Sequence, residues 1–180
     1  MTNIMLDIKT LGLDSTAVVL SIGVTKFTLN EAAPLIGDSM LWTPNLAEQF
    51  AKGRNVNHST LDFWRKQPDA AKASWLYPSK PEPVHTALTE LSQFISSDYE
   101  VMMWANGITF DFGIMASLYH DFEIQVPWKY NAVRDARTIY RVLPKIRTRP
   151  EGSEQGPEHD PVADCIFQIW NLWEHWPFGN

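Results

Sequence analysis

An α/β fold, a mixed sheet covered by helices, is the class this chain predicts. Two runs rich in Val, Ile and Leu open it at residues 3–9 and 17–28, joined by a link short enough for an antiparallel hairpin. Helical periodicity and further strand patterns then intermingle, as expected when helices pack on a mixed sheet. A hydrophobic content of 44%, with eight tryptophans in 180 residues, excludes a disordered chain and suits one domain spanning 1–180.

The elements follow in order. Residues 3–9 read as a short buried strand, 17–28 as a longer one, and a third strand is expected near 39–43. Helical patterns occupy 59–67, 69–75 and, after Pro81 and Pro83, 84–96, where Val84, Leu88, Leu91 and Ile95 share one face. Residues 99–104 form another strand, ended by the turn signal Asn106-Gly107. Thr109 is the expected N-cap of the next helix, which puts Asp111 in its first turn. A helix over 134–143, a polar loop over 145–158 and a final helix over 161–174 complete the chain, with Ile166, Trp170 and Trp173 at helical spacing in the last.

Composition narrows the classes. No apolar run approaches the roughly 20 residues of a membrane span, and the start lacks the basic and apolar regions of a secretory signal. The one cysteine, Cys165, cannot close an internal disulfide, which fits the expected cytoplasmic location. The net charge of −6 argues against a wholly nucleic-acid-binding surface, yet residues 129–149 hold seven of the fifteen cationic residues and one acid, Asp135. A local patch of that kind attracts phosphates while the rest of the surface stays acidic.

Three distant aspartates carry the chemistry. Asp7 lies at the carboxyl end of the first strand, where ligands of open α/β sheets gather. Asp111 and Asp164 lie near helix starts, which favour ionised carboxylates. Clustered hard oxygens suit Mg²⁺ or Mn²⁺, and two such ions can stabilise the attacking hydroxide and departing 3′-oxygen of a phosphodiester displacement. His159, five residues before Asp164, is placed to take the proton of the attacking water. Singly, such an aspartate is more often a cap and such a histidine a solvated loop residue; only the joint pattern points to phosphodiester chemistry.

That pattern resembles the DEDDh group of 3′–5′ exonucleases, which have a ribonuclease-H-like fold. Asp7-Ile8-Lys9-Thr10-Leu11-Gly12 looks like their first motif with Lys9 in place of the usual Glu, Gly107-Ile108-Thr109-Phe110-Asp111 like the second, and His159-x₄-Asp164 like the third. The likeness is greatest to small phage-encoded exonucleases and mycobacterial-type exoribonucleases, on the further pieces Ser21-Ile22-Gly23, the block from Thr60 to Gln67, and Arg134-Asp135-Ala136-Arg137-Thr138. The resemblance implies removal of nucleotides from the 3′ end of single-stranded DNA or RNA, in the host cytoplasm if the gene is a phage's. It implies a two-ion Mg²⁺ or Mn²⁺ centre on Asp7, Asp111 and Asp164, and His159 as base. Thr10, Leu11, Phe110, Arg134, Arg137 and Arg141 are expected against the substrate, and a homodimer is among the assemblies such relatives form. The step after His159, Asp160-Pro161, departs from the usual pattern and is expected to alter how the last helix begins.

Lys9 changes the local charge by two units. An ammonium about 4 Å from a divalent ion repels it by ~8 kcal/mol at an effective dielectric near ~20. A quarter of that still exceeds the ~1.4 kcal/mol of a tenfold affinity loss. The ammonium is therefore expected among Asp7, Asp111 and Asp164, standing in part for a metal; the alternative is a lysine turned outward on its long stem.

Arg134, Arg137 and Arg141 are expected on one helix face which, with Lys145, Arg147 and Arg149, would track the phosphate backbone. The plainer alternative is a solvated helix face. Trp104, Trp170 and Trp173 are expected in the core, whereas Trp64 and Trp75 are open to partner packing or base stacking, and Phe110 is a candidate wedge for a terminal base. Two other functions compete with an exonuclease weakened at position 9: a catalytically silent nucleic-acid-binding or protein-interaction module, and a small-nucleotide phosphodiesterase.

Overall fold

Strand β1 (Thr2–Thr10) lies at the middle of the sheet, and Ile4, Met5, Leu6 and Ile8 in it are all buried. In the computed structural model, which describes residues 2–68, 81–96, 100–153, 156 and 159–178, β1 pairs antiparallel with β2 (Val19–Thr28) and β2 with β3 (Leu35–Trp42). Its other edge pairs in parallel with β4 (Val101–Ala105), and β4 in parallel with β5 (Val133–Asp135). The order β3-β2-β1-β4-β5 is a mixed five-stranded sheet. Helices α1 (Leu46–Ala51), α2 (His58–Arg65), α3 (Val84–Ser96), α4 (Ile108–Asp121), α5 (Ala136–Val142) and α6 (Pro161–His175) surround it. Among the described residues no helix is long and apolar enough to cross a membrane.

Alternation along β1 divides the interior. Ile4, Leu6 and Ile8 pack with Val84, Leu88 and Leu91 of α3 and with Met115 and Leu118 of α4. Met5 packs with Cys165, Ile169 and Leu172 of α6. Asp7 and Lys9 share the parity of Met5, so both carry their side chains towards α6.

Several local expectations change. Residue 134 is not helical: Arg134 belongs to the short strand β5, and α5 begins only after Asp135, whose carboxylate accepts from Arg137 N at 3.2 Å. The cap of α4 is Gly107 at φ 114°, not Thr109, and it supplies a backbone angle that side-chain-bearing residues rarely adopt. The buried stripe of α6 is Cys165, Gln168, Ile169, Leu172 and Trp173, leaving Ile166 and Trp170 half-buried. Helix α1, missed in the sequence, begins at the N-cap Asn45, whose side-chain Oδ1 accepts from Glu48 N at 3.2 Å. Its buried Gln49 bonds both Val19 N and Val19 O at 2.8 Å, beside the register shift between Lys9 and Thr10. The helix expected over 69–75, with Trp75, lies outside the described residues.

Gly23 lets α6 reach the sheet. A Cβ there would stand 2.6 Å from the Pro161 carbonyl carbon and 2.8 Å from Val162 N, and backbone atoms cannot turn aside as a side chain can. We expect Gly23→Ala to destabilise the fold by about 1–3 kcal/mol in urea unfolding; an unchanged midpoint would show that α6 is free to lift.

Candidate active site

The acids converge because β1 ends, and α4 and α6 begin, at the same edge of the sheet. Asp7 is near the end of β1, Asp111 is in the first turn of α4 and Asp164 in the first turn of α6. Lys9 Nζ donates to Asp7 Oδ2 at 2.6 Å and to Asp164 Oδ2 at 2.5 Å, joining β1 to α6. The lysine side chain is only 12% exposed, so it does not turn outward. The second oxygen of Asp7 accepts from Gln168 Nε2 at 2.8 Å. Asp111 Oδ1 accepts from the backbone N–H of Ile8 at 3.2 Å, on a stretch of β1 beyond its pairing with β4.

Charge follows from this geometry. Burial alone would lower the Lys9 ammonium, but Asp7 and Asp164 beside it hold it above the ordinary lysine range, so it stays protonated. Among the described residues Asp111 makes no ion pair; burial first, then the charge of Asp7, pushes its carboxyl well up, and the Ile8 N–H and the Lys9 charge only partly oppose this. Divalent ions fit this donor set poorly. Oxygens of both Asp7 and Asp164 already serve an ammonium, and among the described residues no three His, Cys, Asp or Glu side chains are grouped to hold a metal.

Helix α6 starts where Asp160-Pro161 puts it. Asp160 is the N-cap, accepting from Val162 N at 2.8 Å and Ala163 N at 2.9 Å, and Pro161 fills the first turn, where no N–H is needed. His159 precedes this cap at φ 66°, in the left-handed region. Its ring meets the edges of Phe63 and Trp64 with centroids 5.3 and 5.7 Å away, and its Nε2 lies 3.1 Å from Gln67 Oε1.

A cleft of about 410 Å³ opens beside Lys9 and His159, with Thr10, Phe63, Trp64 and Phe110 among its walls. It brings together four of the residues expected at the site: Lys9, Thr10, Phe110 and His159. Leu11 is not among its walls but buried with Val18, Leu20 and Trp64. Trp64 is 3% exposed and donates to Thr10 O at 2.9 Å, so it is chiefly core, with one edge on the cleft.

The arginines do not form one stripe. Arg134 donates to the carbonyls of Asn131 and Val133, Arg137 reaches back to Asn106 O at 2.6 Å, and Arg141 is exposed in the last turn of α5. The cations of the following loop are engaged inward: Lys145 and Arg149 pair with Glu174, and Arg147 donates to Trp176 O. Gln168, Gln67 and Gly23 are the site residues the sequence left without a role. Gln168 had a readable signal, four residues after Asp164 on the same helix.

The mixed five-stranded sheet flanked by helices is that of a DEDDh-type 3′–5′ exonuclease. Residues 2–176 match the 3′–5′ exoribonuclease Rv2179c-like domain, and the chain belongs to that family. It is 24% identical over 200 residues to an exodeoxyribonuclease of Enterobacteria phage T4, a match covering 94% of this chain and 86% of the relative. Cell-death related nuclease 4 (CRN-4) superposes with a TM-score of 0.62 at 15% identity, over 96% of this chain but 62% of the other. The nuclease domain of 3′hExo, a DEDDh family member solved bound to rAMP, superposes with a TM-score of 0.57 at 9% identity, over 95% and 88% of the two chains.

Glu174 ties the loop before His159 to α6. Burial raises its carboxyl, but hydrogen bonds from Arg149 and Lys145 outweigh this and hold it at about 2, against an ordinary 4.5. A depressed carboxyl contributes stability above its unfolded value and loses it as pH falls towards the folded one. Glu174→Gln should therefore unfold at lower urea than the parent near neutrality, with the gap closing as pH drops from 4.5 towards 2. A gap that stayed constant with pH would show that the ion pairs contribute nothing.

Proposed function

We propose that this chain is a 3′–5′ exonuclease of single-stranded nucleic acid whose present form is held nearly silent by Lys9. The supporting observation is the ammonium bonded to Asp7 and Asp164 together. DEDDh exonucleases generally use divalent metals, and here the chain's own cation sits where an acid would otherwise add negative charge. In this reading Asp7, Asp111 and Asp164 are the metal-ligating carboxylates that a Glu at position 9 would complete. His159 on the cleft takes a proton from the attacking water, while Thr10 and Phe110 border the terminal nucleotide.

The test is digestion of a 3′-labelled strand with Mn²⁺ by the parent chain and by Lys9→Glu. Restoring the acid removes a repulsion of which even a fraction exceeds ~1.4 kcal/mol, so cleavage should rise at least ~10-fold. Equal rates would refute the account of Lys9. Tight strand binding without cleavage by either protein would favour the silent binding module, which the same ion pair also supports.

On the substrate side, Arg137 and Arg141 are the cations we assign to the phosphate backbone. Arg137→Ala with Arg141→Ala should weaken strand affinity and flatten its dependence on salt, by about 0.7 units of log–log slope for each phosphate of a single strand no longer neutralised. Fluorescence anisotropy across a salt series reads both, and an unchanged slope would remove these arginines from the track.

A further inference from the structure

Gln67 sits just beyond the end of α2 and makes two hydrogen bonds of opposite kind. Its side-chain Nε2 donates to Phe63 O at 3.2 Å, and its Oε1 faces His159 Nε2 at 3.1 Å. The first bond fixes the polarity of the amide. A backbone carbonyl can only accept, so the NH₂ end must point to Phe63 and the oxygen to the imidazole. An amide oxygen can likewise only accept, so the proton between Gln67 and His159 belongs to His159 Nε2. In the neutral ring this leaves Nδ1 as the atom with a free lone pair. Among the described residues Nδ1 has no hydrogen-bond partner.

The seat is rigid enough to hold that choice. Phe63 and Trp64 meet the ring near-perpendicularly, at 79° and 73°, and Trp64 is anchored to β1 through Thr10 O. The left-handed φ of 66° at His159 matters as well, because it turns the residue onto this seat just before the Asp160 cap begins α6.

We propose that Gln67 is the positioning residue of the site: it fixes His159 as the Nε2–H tautomer and so makes Nδ1 the basic nitrogen. The proposal rests on the reading of His159 as general base. In the step it defines, a proton of the attacking water passes to Nδ1 while Nε2–H keeps its bond to Gln67. The water oxygen bonds to phosphorus as the bond from phosphorus to the departing 3′-oxygen breaks, and that oxygen takes a proton from solvent. The imidazolium then returns its extra proton to solvent.

The tautomer can be read without turnover. In the full chain labelled with ¹⁵N-histidine, near about pH 8 where an ordinary imidazole is neutral, long-range ¹H–¹⁵N correlations report which nitrogen carries hydrogen. The His159 signals are assigned by their loss in His159→Gln. We expect a pyrrole-type Nε2 and a pyridine-type Nδ1 in the parent. That pattern should persist in Gln67→Glu, whose carboxylate also accepts, and collapse to averaged shifts in Gln67→Leu. Averaged shifts or an Nδ1–H tautomer in the parent, or an unchanged pattern in Gln67→Leu, would overturn the proposal.

Kinetics in the Lys9→Glu background supply the second arm. Gln67→Leu should lower kcat by ~10-fold or more, a typical cost of losing the partner that orients a functional histidine, with KM little changed. Gln67→Glu should retain most of the rate. A Gln67→Leu protein that loses the tautomer yet keeps its kcat would remove Gln67 from the mechanism. If Lys9→Glu cleaves nothing, the nuclease reading fails, and the ring spectra of the parent alone decide the tautomer.

Discussion

Asp7 and Asp164 come from a central strand and a helix more than 150 residues apart in the chain, and Lys9 Nζ bonds to both. Two carboxylates held together at the edge of a core repel each other and lose hydration, costs that fall only when a cation lies between them. Most sites built from clustered acids leave that cation to be supplied from outside. Here it is covalently part of β1, two residues from one of the acids it neutralises. One interaction thus closes the junction of sheet and helix and occupies the electrostatic centre of the site. Removing both carboxylates would strand the ammonium, which is more damaging than never having paired it.

The bridge requires α6 to lie close against the sheet, and several local features combine to bring it there. The missing side chain of Gly23 admits the Pro161 backbone, Asp160 caps the helix, and Gln168 reaches from the next turn to the free oxygen of Asp7. At the far end of the helix Glu174 holds Arg149 and Lys145, so the polar loop leading to His159 is anchored at its start. The aromatic seat on α2 then receives the imidazole itself. Asp7, Asp164 and His159 thus owe their positions to neighbours that carry none of the expected chemistry themselves.

The distribution of cations has a similar lesson. Seven lysines and arginines crowd residues 129–149, but charge along a chain is not potential on a surface. Arg147, Arg149 and Arg134 have donors committed to carbonyls or to Glu174, and Arg137 braces the Asn106-Gly107 turn that opens α4. Arg141 is the arginine of α5 that stands exposed without such a commitment among the described residues. Phosphate attraction by this region is accordingly narrower than its composition suggests.

Periodicity made most of the architecture legible. The apolar runs of β1 and β2 and the stripe Val84, Leu88, Leu91, Ile95 were readable because local composition and spacing alone mark a buried strand or the apolar side of a helix. Strand β5 was hidden because three residues carry no period, and the Thr109 cap was misplaced because Gly107 caps through backbone conformation, not through a side-chain oxygen. The residue types and order of the site, with an ammonium at position 9, were determined by sequence alone. Only the tertiary structure decided that the ammonium turns inward to two acids, that Gln168 and Gln67 hold Asp7 and His159, and that Arg134 leaves the arginine stripe. These outcomes depend on distances between elements remote in the chain, and packing sets those distances where no local pattern can record them.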